Sequence, residues 1–288
     1  MLKQFYKSSA FRIYCRNLSS NFNNDVQVES LQGTDKGIVV FGLNRPQAKN
    51  ALSRNLVNNL FEAIENVRYD KSARAVIVRS MVPGIFCAGA DLKERAKMTV
   101  PEIKKFLTRL QSCLTSLETL GAPVIAAIDG VAVGGGLELA LACDIRTISA
   151  QAKVGLVETK LAILPGGGGT QRLPRLINPA IAKELIFTAQ TITGEEAYRL
   201  GIANHVLEPN ADGTAAYLKA LDIARKIIPN GPIGVKMAKT AINQGLEVDL
   251  DTGLFIEEAA YAQVIPTKDR LEGLAAFNEK RLPKYTGE

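Results

Sequence analysis

Glu138 is the residue in this sequence whose surroundings best suit acid–base chemistry. It follows three consecutive glycines and stands in the apolar run LELALAC. The residues three, four and seven positions further on are Leu141, Ala142 and Ile145, so a helix here offers no polar face for a carboxylate. A carboxylate in apolar surroundings is costly unless it is paired or its pKa is shifted. Glu138 is therefore either a general acid or base in a dry pocket, or an acidic residue favoured by the first helical turn.

Two glycine-rich segments lie near this glutamate in the sequence, at 134–136 (GGG) and 165–170 (PGGGGT). Glycines before a helix leave backbone N–H groups open to an anion. Neither segment matches G-x-G-x-x-G or ends in Gly-Lys-Ser/Thr, so dinucleotide-binding and P-loop folds are excluded. We expect 165–170 to line a site rather than to cradle phosphate. Backbone donors beside a buried glutamate suit oxyanion stabilisation of an acyl compound.

Two further carboxylates are weaker candidates when only their local sequence is considered. Glu158 stands two residues before Lys160, a setting that favours a solvated side chain. Asp91 ends the segment FCAGAD, where Gly89 indicates a tight turn and Asp91 is placed to cap a helix beginning near Leu92.

The histidine and cysteine content excludes several kinds of site. His205 is the only histidine, so a histidine-rich metal site cannot be built, and there is no G-x-S-x-G motif for a serine hydrolase. The four cysteines form no C-x-x-C pair, which argues against zinc ribbons and thioredoxin-like motifs. They are typical of scattered thiols in a reducing compartment: Cys15, Cys87, Cys113 and Cys143.

Residues 1–24 differ in composition from the rest of the chain. They contain four basic residues, four serines and no acidic residue, a pattern typical of a mitochondrial transit peptide. We predict cleavage after Leu18, a mature chain beginning near Ser19, and a location in the mitochondrial matrix. Loss of the four basic residues lowers the formal net charge from +6 to +2, so the mature chain has no charge excess that calls for nucleic acid.

Alternating strand and helix patterns predict an α/β fold. Apolar runs rich in β-branched residues indicate strands at 38–43, 75–79, 124–128 and 144–149. An i, i+4 apolar stripe over 56–67 and a capped pattern from Thr99 indicate helices. After the polar break at 208–214 the pattern is helical, over 214–228, 232–245, 249–263 and 268–279. We therefore divide the chain into a leader (1–24), a core (25–210) and a helical C-terminal part (211–288), with no membrane span.

Five motifs resemble the enoyl-CoA hydratase/isomerase (crotonase) family over residues 37–288. They are 43–52 (LNRPQAKNAL), 86–92 (FCAGADL), 128–138 (IDGVAVGGGLE), 142–146 (ACDIR) and 165–173 (PGGGGTQRL). The resemblance implies a spiral of β-β-α turns, with C-terminal helices that build trimers or hexamers formed by two trimers. It also implies an acyl-CoA substrate, no metal, and no cofactor apart from the coenzyme A of the substrate.

The resemblance also assigns roles to residues. It implies that the backbone N–H groups of Ala88 and Gly135 form the oxyanion hole. Glu138 activates water and Glu158 transfers the proton at Cα, so retention of both favours a hydratase. Coenzyme A is expected to contact the segment Ala88, Gly89, Ala90 and Asp91, with Gly135 at the thioester and Lys49 near a phosphate.

Three segments, 82–98, 155–163 and 265–273, resemble the members of the family that hydrate 3-methylglutaconyl-CoA in leucine degradation. That substrate carries a distal carboxylate, for which Lys93, Arg95 and Lys97 are candidate partners if they are not simply a solvated helix face. The alternative substrates are short-chain 2-enoyl-CoA thioesters of β-oxidation.

A third hypothesis is an RNA-binding homologue without enzymatic activity. The RNA-binding relative in this family uses lysines along the helix after Asn-x-Leu-Ser. The corresponding turns here carry Arg54, Asn58 and Glu62, of which only one is basic. Glu62 would repel phosphate, so RNA binding is doubtful.

Overall fold

The computed structural model describes residues 24–288, which form two β-sheets surrounded by helices. The ten strands are β1 (Val26–Ser30), β2 (Ile38–Leu43), β3 (Ala75–Ser80), β4 (Ile85–Cys87), β5 (Val124–Ile128), β6 (Val131–Val133), β7 (Ile145–Ser149), β8 (Lys153–Gly155), β9 (Ile192–Thr193) and β10 (His205–Leu207). The larger sheet has the order β1-β2-β3-β5-β7-β10, and the smaller has β4-β6-β8-β9.

Successive turns of the chain step from the larger sheet to the smaller one. β3, β5 and β7 pair in parallel in the larger sheet, and the strand that follows each of them lies in the smaller sheet, where β4, β6 and β8 also pair in parallel. Among the strands of residues 24–288, only the outer pairs β1–β2 and β8–β9 are antiparallel. This arrangement confirms the α/β class and the spiral of β-β-α turns.

Eleven helices in residues 24–288 complete the fold. They are α1 (Arg54–Arg68), α2 (Leu92–Arg95), α3 (Val100–Glu118), α4 (Gly135–Leu141), α5 (Gly169–Leu176), α6 (Pro179–Phe187), α7 (Gly194–Arg199), α8 (Ala215–Ile227), α9 (Pro232–Gly245), α10 (Leu250–Val264) and α11 (Lys268–Glu279). The α3 helix begins at the N-cap predicted at Thr99, and the structure adds a capping box there, since Glu102 accepts the Thr99 N–H at 2.8 Å.

Most of the buried apolar side chains form one core that reaches both sheets and includes side chains of α1, α3 and α4. A second, smaller core lies on the other face of the larger sheet, where Ala220, Leu221 and Ala224 of α8 cover Ile77 and Ile125. The α8 helix therefore packs on the larger sheet, although the predicted boundary at residue 210 assigns it to the C-terminal part. The division into 25–210 and 211–288 remains a prediction.

The last three helices, together with the segments that follow α9 and α11, leave large apolar side chains exposed. The exposed fractions are 80% for Leu246, 77% for Leu250, 71% for Phe255, 83% for Phe277 and 87% for Leu282. Within residues 24–288 no helix has the length and apolar character required to cross a bilayer.

Candidate active site

Glu138 lies on a buried helix that begins in close contact with strand β4. Gly134 has a φ of 53°, which turns the chain from β6 into α4, and every residue of α4 is buried. A Cβ on Gly136 would clash with the Cys87 carbonyl oxygen, so this approach requires glycine. Glu138 is 2% exposed as a result.

The Glu138 carboxylate is held by backbone amides of the second glycine-rich segment. Its Oε1 accepts the N–H groups of Gly167 and Gly169, each at 2.8 Å. Burial raises the pKa of Glu138, and these two hydrogen bonds oppose the rise. Segment 165–170 thus lies against Glu138, as predicted for a loop that lines a site, and its amides bind a carboxylate of the protein itself.

Arg172 supports this loop and was not identified as a site residue from the sequence. Its Nη1 donates to the Gly167 carbonyl oxygen at 2.9 Å, and its Nη2 pairs with Glu118 at 2.7 Å. Its charge also lowers the pKa of Glu138. The only available signal was a basic residue one helical turn after the glycines.

Glu158 meets the same glycine turn from β8. It begins a short 3₁₀ turn, Glu158–Leu161, and is partly buried. A Cβ on Gly134 would lie 3.0 Å from Glu158 Oε1, while Oε2 is buried without a hydrogen-bond partner in residues 24–288. The pKa of Glu158 is raised to about 7, mainly by burial and in smaller part by the charge of Glu138, while a backbone hydrogen bond and the charge of Arg95 oppose the rise. The local expectation of a solvated glutamate is therefore wrong.

The two N–H groups expected to form the oxyanion hole differ in their availability. Gly135 is the first residue of α4, so its N–H has no partner within the helix. The Ala88 N–H instead donates to the Lys49 carbonyl oxygen at 3.1 Å. The structure therefore does not leave Ala88 available to bind a thioester oxygen.

Ala90, two residues later, presents its N–H on the opposite side of the segment. Gly89 has a φ of 87°, and both the Gly89 carbonyl and the Asp91 N–H bond to Leu52. The intervening Ala90 N–H therefore points away from Leu52. A Cβ on Gly135 would lie 3.8 Å from Ala90 N, so the amides of Ala90 and Gly135 are neighbours.

A cleft of about 780 Å³ opens beside this segment. It is lined by Ala88, Ala90 and Asp91 together with Lys93 and Lys97. Asp91 caps α2 by accepting the Glu94 N–H at 3.0 Å, as predicted, and also pairs with Arg45 at 2.7 Å. The described residues that line the cleft do not include the exposed Lys49.

The three candidate cations around α2 point in different directions. Lys93 and Lys97 are exposed, whereas Arg95 is partly buried and its guanidinium lies 5.0 Å from the ring centroid of Phe106. The charge of Arg95 lowers the pKa of both Glu138 and Glu158, so its guanidinium lies near the two carboxylates.

The helix positions compared with the RNA-binding relative are exposed on α1, but two of them already have partners. Arg54 pairs with Glu94 at 2.9 Å, and Asn58 accepts a hydrogen bond from Arg109 at 3.1 Å. Because Glu94 offsets the positive charge of Arg54, this residue would attract a phosphate less strongly.

Other predicted features lie outside the site. Cys87, Cys113 and Cys143 are buried free thiols whose pKa burial raises to about 12. Across residues 24–288, His, Cys, Asp and Glu form no group of three that could hold a metal ion. Residues 1–23, which carry Cys15 and nearly all of the predicted leader, lie outside the described residues.

Comparisons with known proteins agree with this geometry. The family model for enoyl-CoA hydratase/isomerase matches residues 33–288. Human mitochondrial methylglutaconyl-CoA hydratase is 59% identical over 265 residues, which cover 92% of this chain and 78% of the relative. The bovine mitochondrial enoyl-CoA hydratase domain-containing protein 2 is 50% identical, with 95% and 93% covered. The crystal structure of an enoyl-CoA hydratase from Bacillus anthracis superimposes with a TM-score of 0.87 at 45% identity, covering 92% of this chain and all of that one.

Proposed function

The chain belongs to the enoyl-CoA hydratase/isomerase family, and from that premise we propose that it hydrates 3-methylglutaconyl-CoA, an intermediate of leucine degradation. It is a hydro-lyase of the enoyl-CoA hydratase type. The observation that carries the proposal is the convergence of Glu138 and Glu158 on one glycine turn, beside the N–H groups of Ala90 and Gly135. The substrate is taken from the 59% identical relatives, whose names specify methylglutaconyl-CoA.

Glu138 acts as the base that activates water. Both of its loop hydrogen bonds are made to Oε1, so Oε2 remains to take a proton. As the water oxygen bonds to Cβ, Oε2 accepts its proton and the electron pair of the double bond moves towards the thioester oxygen. The fixed Oε1 keeps the carboxylate in place during the transfer.

Two backbone amides receive the charge that develops on the thioester oxygen. We assign this role to Ala90 and Gly135, in place of the Ala88 and Gly135 pair implied by family resemblance, because the Ala88 N–H is already bonded to Lys49. One such donor is typically worth about 3 kcal/mol in the transition state. The role of Gly135 stays as expected.

Glu158 supplies the proton that completes the reaction. With a pKa of about 7, a substantial fraction of its carboxyl groups is protonated at neutral pH and can donate to Cα. Because both glutamates approach from the same glycine turn, the hydroxyl group and the proton add to the same face of the double bond, which is syn addition. No group other than coenzyme A is needed.

Coenzyme A is proposed to occupy the cleft beside residues 88–91. Its pantetheine arm would pass the backbone of Gly89 and Ala90. Phosphate contacts are better supplied by Lys93 and Lys97, which line the cleft, than by Lys49, which does not.

The exposed apolar side chains of α9, α10 and α11 support assembly into a homotrimer or a hexamer of two trimers. Light scattering from the purified chain distinguishes these states, since one chain has a mass of 31.0 kDa. The mitochondrial relatives and the acid-free residues 1–24 support a matrix location. N-terminal sequencing of the mitochondrial protein should find a start near Ser19, and recovery of an intact leader would contradict this.

The test of function is hydration by the purified mature chain, followed as loss of the absorbance of the conjugated thioester. We expect a higher kcat/KM for 3-methylglutaconyl-CoA than for crotonyl-CoA. The reverse preference would favour the short-chain hydratase, and absence of turnover on both would leave the RNA-binding homologue as the better hypothesis.

A further inference from the structure

We infer that Arg95 is the residue that selects the substrate, by binding the carboxylate at the far end of its acyl chain. This inference rests on the proposed function, because the acyl group of 3-methylglutaconyl-CoA ends in a carboxylate that ordinary enoyl chains lack. It assigns Arg95 to the acyl end of the substrate, near Glu138 and Glu158, and Lys93 and Lys97 to the cleft beside residues 88–91.

The geometry of α2 separates the three cations. Lys93 and Arg95 lie two positions apart on α2, so their side chains leave the helix on opposite faces, and Lys97 lies in the turn after α2. Lys93 and Lys97 line the cleft beside residues 88–91, while Arg95 turns inward over the ring of Phe106, which is 4% exposed on α3. The stacked ring holds the guanidinium plane in place without using its hydrogen-bond donors.

Arg95 has hydrogen-bonding capacity that the described protein leaves unused. Its Nε is buried and has no partner in residues 24–288. Its effect on Glu138 and Glu158 is purely electrostatic, with no hydrogen bond to either. A buried charged donor without a partner is unfavourable, and a carboxylate that binds two guanidinium N–H groups would remove that cost.

The chemistry of the substrate requires a cation at this location. The distal carboxylate of 3-methylglutaconyl-CoA is joined to Cβ through one methylene group, so it must lie close to the carbon that water attacks. Without a nearby cation it would face the negative charge of Glu138 and, when ionised, of Glu158. A guanidinium near both glutamates offsets this repulsion and recognises the planar carboxylate.

The test compares two substrates that differ only in this carboxylate, 3-methylglutaconyl-CoA and 3-methylcrotonyl-CoA. Arg95→Met keeps an apolar chain against Phe106 and removes the charge. We expect kcat/KM for the carboxylated substrate to fall by about 10- to 100-fold, the usual range for a hydrogen bond to a charged group, and that for 3-methylcrotonyl-CoA to change by less than about 3-fold. Arg95→Lys should recover part of the loss, and Lys105→Met removes an exposed cation on α3 as the matched control.

The outcomes separate the inference from the proposed function. If the unaltered chain prefers 3-methylglutaconyl-CoA and Arg95→Met keeps that preference, the inference is wrong and the function stands. An equal loss on both substrates would show that Arg95 acts on the glutamates and would also overturn it. If the unaltered chain shows no preference for the carboxylated substrate, both proposals fail. Should Arg95→Met not fold, Arg95→Lys tests the same preference with the charge retained but the guanidinium fork removed, and an unchanged preference would contradict bidentate recognition.

Discussion

Replacement of Glu158 by glutamine should make the protein more stable above neutral pH while removing most of its activity. Folding shifts the pKa of this carboxyl from its usual 4.5 to about 7, mainly through burial. Between those values the unfolded chain has released the proton and the folded chain still holds it. The free energy of unfolding therefore falls as pH rises through this window, and above about pH 7 the full cost of ionising the buried group is present.

The size of the effect follows from the shift. The rise in the pKa of Glu158 from 4.5 to about 7 corresponds to about 3 kcal/mol of unfolding free energy. Because the side chain is partly exposed, water screens part of this cost and leaves about 1–2 kcal/mol. Glutamine keeps the shape and cannot ionise. Glu158→Gln should therefore exceed the unaltered chain by about 1–2 kcal/mol at pH 8 and by much less at pH 5, whereas kcat should fall by about 10²–10⁴.

Urea unfolding at fixed protein concentration, at pH 5 and pH 8, measures the free energy of unfolding. Hydration of 3-methylglutaconyl-CoA measures kcat. Glu184→Gln, at an exposed glutamate of α6, is the matched control and should change neither. Equal stability of Glu158→Gln and the unaltered chain at both pH values would refute the claim that this carboxylate is held in a desolvated site. Normal turnover would refute its role as the acid.

Three further expectations concern the base, its loop and the α1 surface. Glu138→Gln should lower kcat by about 10²–10⁴ with an unchanged circular dichroism spectrum, and near-normal turnover would exclude it as the base. Gly167→Ala should lower kcat by at least about 10-fold, because a Cβ there would lie 2.7 Å from Glu138 Oε2 and displace the carboxylate. An unchanged kcat in steady-state kinetics would contradict this. The unaltered chain should bind AU-rich RNA weakly, and Asn58→Lys combined with Glu62→Lys should raise affinity and steepen its salt dependence by about 0.7 per phosphate contact. Tight, AU-selective binding by the unaltered chain in a salt titration would point to another surface.

The long elements of the fold could be predicted because each carries its own pattern. The β2 strand and helices α1 and α3 occur where a β-branched apolar run, an i, i+4 apolar spacing and the Thr99 cap indicate them. The smaller sheet was not predicted, because its strands have only two or three residues, too few to show the two-residue alternation or the apolar run that indicates a strand. Helices α5, α6 and α7 were also missed, and α5 contains Pro174, which weakens any helical pattern.

The site was predictable where the local sequence conflicts with its surroundings. Glu138 stands out because it interrupts an apolar helix. Glu158 does not, since its burial comes from packing over Gly134, a contact that no nearby residue indicates. The choice between Ala88 and Ala90 depends on the positive φ of Gly89, which changes the direction in which successive N–H groups point. Sequence spacing alone does not distinguish the two.

The amide groups that hold Glu138 lie 29 and 31 residues after it in the chain. During refolding from denaturant, the helix carrying the base can form before the loop at 167–169 has docked. Recovery of catalytic turnover should therefore lag behind recovery of helical signal, and the delay reports the time needed to close this segment. For the same reason, an amino-terminal fragment that ends before residue 167 lacks the two amides that hold the Glu138 carboxylate. Recovery of turnover when the remaining fragment is added separately would therefore measure docking of the loop.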